Sequence, residues 1–465
     1  MIVSERRNFP KRLTFLTTVI VVFINLNTYG QRSYRYENYG NKSVLLNGNV
    51  TGSVTDLGAV FYNPARLALV ENPKFSIEGK FYERSMIRID DFLGEGINIE
   101  NPRFNALPGL VAGSVKLGTE NFYYSFLSRS RIDVDASFDT GLLDADNSDL
   151  LSPGQFFNTK IGITMKVTEE WFGLSWGKKL KDNFSIGISM FASFYNYSGT
   201  DAIRFVLLNE DDPIYLSDGE TSFEQHSMGL FFKLGAAWKL PSFDLGINID
   251  LPYLEISQKG NYNGEFIFAS GNTGADILTI AQFDNINSKR KVPLGVNIGA
   301  GIPIDKHVLH LNADWHAPVS AYDRLDIPPI ESVTEPVDTA ERKEELKGVL
   351  NFGFGTELYL TKTLGLYLSF TTDFSPVKRN ESLIENENGF GEENLLTLDN
   401  YHFGGGVNID ANTFHLVFGA VYTTAAGDFQ RAITLPVGPT DFNDDNLSVS
   451  VDRFRLLVGF NIPLN

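Results

Sequence analysis

From residue 74 onward, apolar and polar residues alternate with period two, the signature of strands whose two faces meet different surroundings. Between positions 293 and 302, Leu294, Val296, Ile298, Ala300 and Ile302 face one way, and Gly295, Asn297, Gly299 and Gly301 the other. Phe184, Ile186, Ile188 and Met190 oppose Ser185, Gly187 and Ser189. Phe243, Leu245, Ile247, Ile249 and Leu251 oppose Asp244, Gly246, Asn248 and Asp250. Leu350, Phe352, Phe354, Leu358 and Leu360 oppose Asn351, Gly353, Gly355, Glu357 and Tyr359. The last such strand sets Phe454, Leu456, Val458, Phe460 and Ile462 against Arg453, Arg455, Gly459 and Asn461.

The connections sort into two kinds. Six are short and carry Asp, Asn, Gly or Pro: near Gly118–Asn121, Lys181–Asn183, Pro241–Ser242, Asp305–Lys306, Thr361–Thr363 and Asp410–Asn412. Seven are long and polar, roughly 89–106, 139–154, 200–222, 260–287, 323–346, 377–398 and 435–449. Together they join fourteen strands, provided 155–180 is one tall strand. An even strand number with short turns at one rim and long loops at the other predicts an all-β membrane protein, a 14-stranded antiparallel outer-membrane β-barrel. A soluble β-sandwich would also alternate, but it would have to bury fourteen faces rich in Phe and Leu in one core. Trp171, Trp238, Trp315, Tyr359, Tyr367 and Tyr422 fall near strand ends, as interfacial girdles do, although the phase puts Tyr359 and Tyr367 in the lumen.

The N-terminus departs from this pattern. Arg6, Arg7, Lys11 and Arg12 precede an apolar run from Leu13 to Leu26, too short for a comfortable membrane span, and Thr28 and Gly30 are the small residues of a cleavage site. Residues 1–30 are therefore expected to be a signal peptide, 31–73 a compact, partly helical plug, and 74–465 the barrel. The plug assignment rests on 41–73, where Gly48, Gly52 and Gly58 interrupt any strand, Asp56 can cap a helical turn, and Pro64 suits a helix start. No later apolar run has the length of a membrane helix.

Composition narrows the chemistry. The formal charge of −18 becomes −21 once four basic residues and one acidic residue leave with positions 1–30, which argues against nucleic acid as a partner. There is no cysteine, hence no disulfide, thiolate metal site, Cys nucleophile or lipidated cysteine. No cofactor or metal is implied, and no nucleotide-binding motif is present.

Val60-Phe61-Tyr62 followed by Asn63-Pro64-Ala65, after a Gly-rich segment bearing Asp56, resembles the N-terminal region of the FadL/TodX family of outer-membrane transporters for long-chain fatty acids and hydrocarbons. Family members often continue with Gly where this chain has Arg66. The resemblance implies a fourteen-stranded barrel whose N-terminal hatch, holding Asn63, Pro64 and Ala65, closes the periplasmic half of the lumen. It also implies a kinked wall strand that opens a lateral exit. Strand 3, an early strand of the kind that carries this kink, has no Gly or Pro between 120 and 139. The phase slip at Pro252, where the apolar set turns from odd positions to Leu254 and Ile256, implies a bulge or kink, read either as a wall kink in its place or as a harmless bulge near the outer rim.

An amphipathic ligand needs an apolar pocket and a few polar groups. Arg129 and Arg131 fall on the inner face of strand 3 by alternation, together with Asp133 and Asp135, so an internal ion-pair ladder competes with ligand binding there. His310, Asn312, Asp314 and His316 also point inward, as a hydrogen-bonded lumenal network or as ligand contacts, and no Ser or Glu at useful spacing makes a hydrolase of them. The expected function is passive outer-membrane uptake of hydrophobic or amphipathic small molecules, within lipid and lipopolysaccharide. The alternative is a FadL-like barrel that docks a secretion or surface-attachment system, with a protein partner at the acidic loops.

Overall fold

The computed structural model describes residues 34–461 except 36, 71–74, 93–97, 145–153, 210–213, 270–275, 331–341, 378–397, 411–414 and 431–445. Fourteen antiparallel strands close into a barrel: β1 (Phe75–Asp90), β2 (Ile99–Leu117), β3 (Glu120–Asp139), β4 (Gln155–Lys181), β5 (Phe184–Asn209), β6 (Tyr215–Lys239), β7, β8, β9 (His307–His316), β10 (Val349–Tyr359), β11 (Leu364–Asp373), β12 (Asn400–Asp410), β13 (His415–Gln430) and β14 (Asn446–Asn461). β7 runs in two pieces, Asp244–Asp250 and Leu254–Ala269, and so does β8, Ile277–Ile286 and Gly295–Ile304. Closure is by β1 against β14, from Ser76 opposite Asn461 to Asp90 opposite Ser448. A short hairpin, Val319–Leu325 with Arg342–Leu346, continues above β9 and β10. The span 155–180 is indeed one strand of 27 residues. Among the described residues no helix is long and apolar enough to cross a membrane.

The apolar sets read from the sequence face outward. Phe352, Phe354, Phe403, Phe418 and Phe460 are exposed, whereas Asn351, Ser189, Arg453 and Arg455 are buried inside. Outward aromatics form bands at two heights: Phe184 against Trp238 low on the wall, and Phe172 in contact with Phe126 and with Phe194 higher up. Along β5 the ten steps from Phe184 to Phe194, at about 3.4 Å each and a tilt of about 40°, climb about 25 Å, the height of a lipid-facing belt. Trp171 is not part of either band. It points into the lumen, 3% exposed, because it shares the inward phase of β4 with Glu169 and Ser175.

Above the upper band the pattern inverts. On β4, Lys166, Thr164 and Lys160 now face out, while Ile161, Ile163, Met165 and Val167 are buried inside. β5 and β6 do the same, with Asn196 and His226 outside and Tyr197 and Phe223 inside. A wall that leaves lipid for water needs a polar exterior, so this inversion marks the membrane boundary. It also explains a difference from the sequence reading. The spans 200–222 and 260–287, expected as loops, are largely continuations of β5, β6, β7 and β8 that rise beyond the lipid belt. The parts of the long loops that remain fall mostly outside the described residues.

Candidate functional site

Residues 34–70 form an inner segment packed against the lumenal face of the strands. It contains α1 (Asn41–Leu45), α2 (Ala59–Tyr62) and a 3-10 turn at Pro64–Leu69. Asp56 organises it. Its carboxylate accepts from the backbone N–H of Lys42, Ser43 and Gly58 and from the Ser43 hydroxyl. It thus caps α1 from a distance rather than only the turn that follows it. Burial pushes the Asp56 carboxyl above its usual range, and these four donors pull it back.

Asn63, Pro64 and Ala65 lie together on the wall. Asn63 Oδ1 accepts from the Ala65 N–H at 3.1 Å, capping the 3-10 turn with Pro64 in its first position. Asn63 Nδ2 donates to the carbonyls of Thr51, 2.8 Å, and Ala236, 3.1 Å. The floor beneath is made of inward glycines on four successive strands. A Cβ at Gly177, Gly187, Gly235 or Gly246 would come within 2.5 Å of Pro64, Asn63 or Thr51 atoms. The polar phase of these strands carries Gly because backbone meets backbone there. Arg66, the departure from the family pattern, donates to the Val54 carbonyl and pairs with Asp244 at 2.9 Å.

Further up, the segment is held by charge. Glu37 pairs with Arg453 and Arg455, Arg35 with Asp314, and the Tyr34 N–H donates to Asp373. His310, Asn312, Asp314 and His316 all point inward and are buried, as alternation requires. They serve the inner segment: Asn312 accepts from Thr51 N–H, and the His316 ring stacks on Tyr34 at 3.6 Å. His310 does have Ser and Glu partners, brought from afar: Ser53 Oγ lies 2.7 Å from Nδ1 and Glu357 Oε1 3.1 Å from Nε2. The Ser53 side chain presses against Gly301, whose added Cβ would meet it at 2.4 Å, which leaves no room for a substrate. The trio ties the segment to β9 and β10.

One cavity opens beside this anchor. Its walls include Phe61, Trp171 and Phe231, with Arg129, Lys233, Asp250 and His316 among the polar groups. Trp171 stacks on Phe231 at 4.3 Å. Lys233 Nζ sits 4.2 Å from the Phe61 ring centre and 2.6 Å from Asp250 Oδ1. Arg129 lies 5.2 Å from the Phe61 ring centre and 5.6 Å from that of Trp171, and it donates to the Tyr34 carbonyl. Above them, Glu169 accepts from Trp171 Nε1, Ser193 and Arg290. Two cations, a carboxylate and three aromatic faces thus converge on one space, a combination suited to an amphipathic molecule.

The expected pairing of Arg129 with Arg131, Asp133 and Asp135 is not found. β3 carries a bulge between Ser128 and Ser130, which reverses its phase. Above the bulge Val134 and Ala136 are the buried residues, and Asp133 and Asp135 face outward, where Arg103 approaches them at 3.9 and 3.1 Å. The Arg131 side chain lies outside the described residues. The absence of Gly and Pro in β3 therefore did not exclude an irregularity; the neighbouring β2 carries Pro108, just beyond the last β2–β3 pair, Leu110 with Leu127. Sequence reasoning passed over Lys233, and it read Phe61 as part of the N-terminal motif and Trp171 as a girdle aromatic rather than as walls of a cavity. The available signal was Lys233 among Gly229, Phe231, Gly235 and Ala237 in the inward phase of lower β6, with Asp250 in the polar phase of β7.

No protein-family model and no curated protein matches the sequence. Solved structures do match. A FadL homologue of Pseudomonas aeruginosa superposes with a TM-score of 0.55 at 12% identity, over 94% of this chain and 100% of that one. The toluene transporter TodX of P. putida superposes with a TM-score of 0.53 at 11% identity, over 91% of this chain and 98% of that one. Identity this low speaks for architecture, and on that ground the chain has the fold of the FadL-type outer-membrane barrels.

Proposed function

We propose that the protein is an outer-membrane channel for passive inward passage of hydrophobic or amphipathic small molecules, fatty-acid-like or hydrocarbon. The observation that carries this reading is the lumenal cavity, in which Phe61, Trp171 and Phe231 present apolar faces beside Arg129 and Lys233. An apolar tail would lie against the rings, and an anionic head would compete with Asp250 for Lys233. His316 borders the same space, whereas His310 belongs to the anchor of the inner segment. The segment 31–73 acts as a plug, with Asn63, Pro64 and Ala65 as its seat on the glycine floor. Residues 1–30 direct export. The apolar interior above the lipid belt, built by Ile161, Met165, Phe157 and Phe223, is an entrance such molecules would prefer to water. Support from known proteins is of fold: the similar structures are those of a FadL homologue and a toluene transporter.

The test is native mass spectrometry of the protein purified in detergent from outer membranes, with lipid extraction of the same sample. A co-purified fatty acid or hydrocarbon is the expected result. A reproducible protein partner with no small ligand would transfer the reading to docking, and recovery in the soluble secreted fraction would overturn the membrane assignment.

A further inference from the structure

Just above the upper aromatic band, the outer side of the wall carries a cleft of about 250 Å³, large enough for a sugar ring with its phosphate. Its walls include Lys166 and Thr168 of β4, Asn196 and Ser198 of β5, and Glu224 and His226 of β6. Antiparallel register sets them in two rows, Thr168 with Asn196 and His226 and, one pleat higher, Lys166 with Ser198 and Glu224. All six share the outward phase of their strands, opposite the buried Val167, Tyr197 and Gln225. The His226 ring N–H donates to Asn196 Oδ1 at 2.6 Å, and Glu224 accepts from Asn261 Nδ2 at 3.0 Å. Lys166 Nζ and the hydroxyls of Thr168 and Ser198 have no partner among the described residues.

Free donors outnumber free acceptors in this cleft, which suits an oxyanion. A bare anion is nevertheless poorly served. Glu224 lines the cleft, Glu170 lies beside Phe194 one row lower, and Asp133 is the cross-strand neighbour of Lys166 on β3. A phosphorylated sugar answers both signs of charge. Its phosphate would take the Lys166 ammonium with the Thr168 and Ser198 hydroxyls, and its ring hydroxyls would donate to Glu224. Depth supplies a third element. The row beneath Asn196 and His226 is Phe194 and Met228, and Phe172 lies 5.8 Å from Phe194; all three are apolar and exposed. Two residues along a strand at this tilt climb only about 5 Å, so acyl chains hanging from a head in the cleft would lie directly on these side chains. A soluble phosphosugar has nothing to place there. We propose that the cleft binds the phosphorylated sugar head of a glycolipid in the outer leaflet, with its acyl chains on Phe172, Phe194 and Met228. The site is independent of what passes through the lumen.

The test is native mass spectrometry of the full chain, refolded in detergent and mixed in turn with diphosphoryl lipid A, phosphatidylglycerol and a soluble glucosamine phosphate. One bound lipid A is expected, retained several-fold better than phosphatidylglycerol, with no retention of the soluble phosphosugar. Lys166→Gln is expected to lower lipid A retention several-fold, and Phe194→Ser to lower it as well. Lys160→Gln, further up the same strand and also facing outward, is expected to change nothing. Lys166 and Lys160 are both exposed, so neither substitution is expected to disturb folding. Lipid A retention that is absent, unchanged in Lys166→Gln, or lowered as much by Lys160→Gln would overturn the site. Equal retention of phosphatidylglycerol would remove the sugar from the proposal, and retention of the soluble phosphosugar to the same degree would remove the membrane lipid; either result overturns the assignment to a glycolipid.

Discussion

Two of the places where the described wall loses its ladder, the β2–β3 and β7–β8 seams, differ in what stands in for the missing hydrogen bonds. Beyond Leu110 and Leu127, β2 and β3 are bridged outside by half-exposed Arg103 with the exposed Asp133 and Asp135, and inside by buried Asn101, whose Nδ2 donates to the Asp135 carbonyl. The β7–β8 seam is filled from inside by Tyr253, while its outer rim is Leu254 and Ile256. Outward charge cannot face hydrocarbon at low cost, so the first seam opens at and above the upper aromatic band, into water. The second straddles that band: Leu254 and Ile256 are apolar and exposed, and Ser257, Gln258 and Lys259 lie level with Phe194 or above it. Depth in the membrane, not the existence of a gap, decides what stands in for the missing bonds.

This contrast can be broken or sharpened by substitution, with stability read from urea unfolding of the refolded barrel. The largest effect is expected at Lys233→Met, beneath the β7–β8 seam. It leaves the half-buried Asp250 carboxylate without its cation, still accepting from Asn248 and Asn297, and should destabilise by about 3 kcal/mol. Tyr253→Ala should cost about 2 kcal/mol, less than a core aromatic because the ring already borders a cavity. Pro252→Val should cost about 1 kcal/mol through the looser unfolded chain, and it should slow uptake of a hydrophobic substrate by allowing the strand to straighten. Uptake unchanged in that variant would remove Pro252 from any role in passage. Arg103→Gln at the other seam should cost only about 0.5 kcal/mol, since the ion pair it breaks is exposed. A loss there as large as at Lys233 would mean that the two seams are mechanically alike.

The same pair of seams shows what the sequence made legible. Alternation and turn length yielded the strand number and the inward faces, because a barrel wall in lipid has no other way to satisfy its backbone. Pro252 announced its break through a phase slip. The bulge at Ser128–Ser130 did not, since ordinary residues can accommodate it and the nearest signal, Pro108, sits on the partner strand. Strand height was misjudged where the pattern inverts, because alternation reports two unlike faces without saying which one meets water. The Asn63-Pro64-Ala65 turn was visible from its own residues. Its seat was not, because the Ala236 carbonyl that Asn63 meets is 173 positions away. Trp171 looked like a belt residue until its inward phase was fixed by the ladder with β3 and β5.

Glu37 bonds Arg453 and Arg455, which follow it by 416 and 418 positions. In time rather than space, this means that the part of the inner segment made first has to wait for the last strand. Until β14 is in place, Glu37 has no partner cation from that strand, and the segment has only part of its seat. Docking of the inner segment is therefore completed only with closure of the barrel, and a chain stalled before its final strand would hold its beginning unsettled.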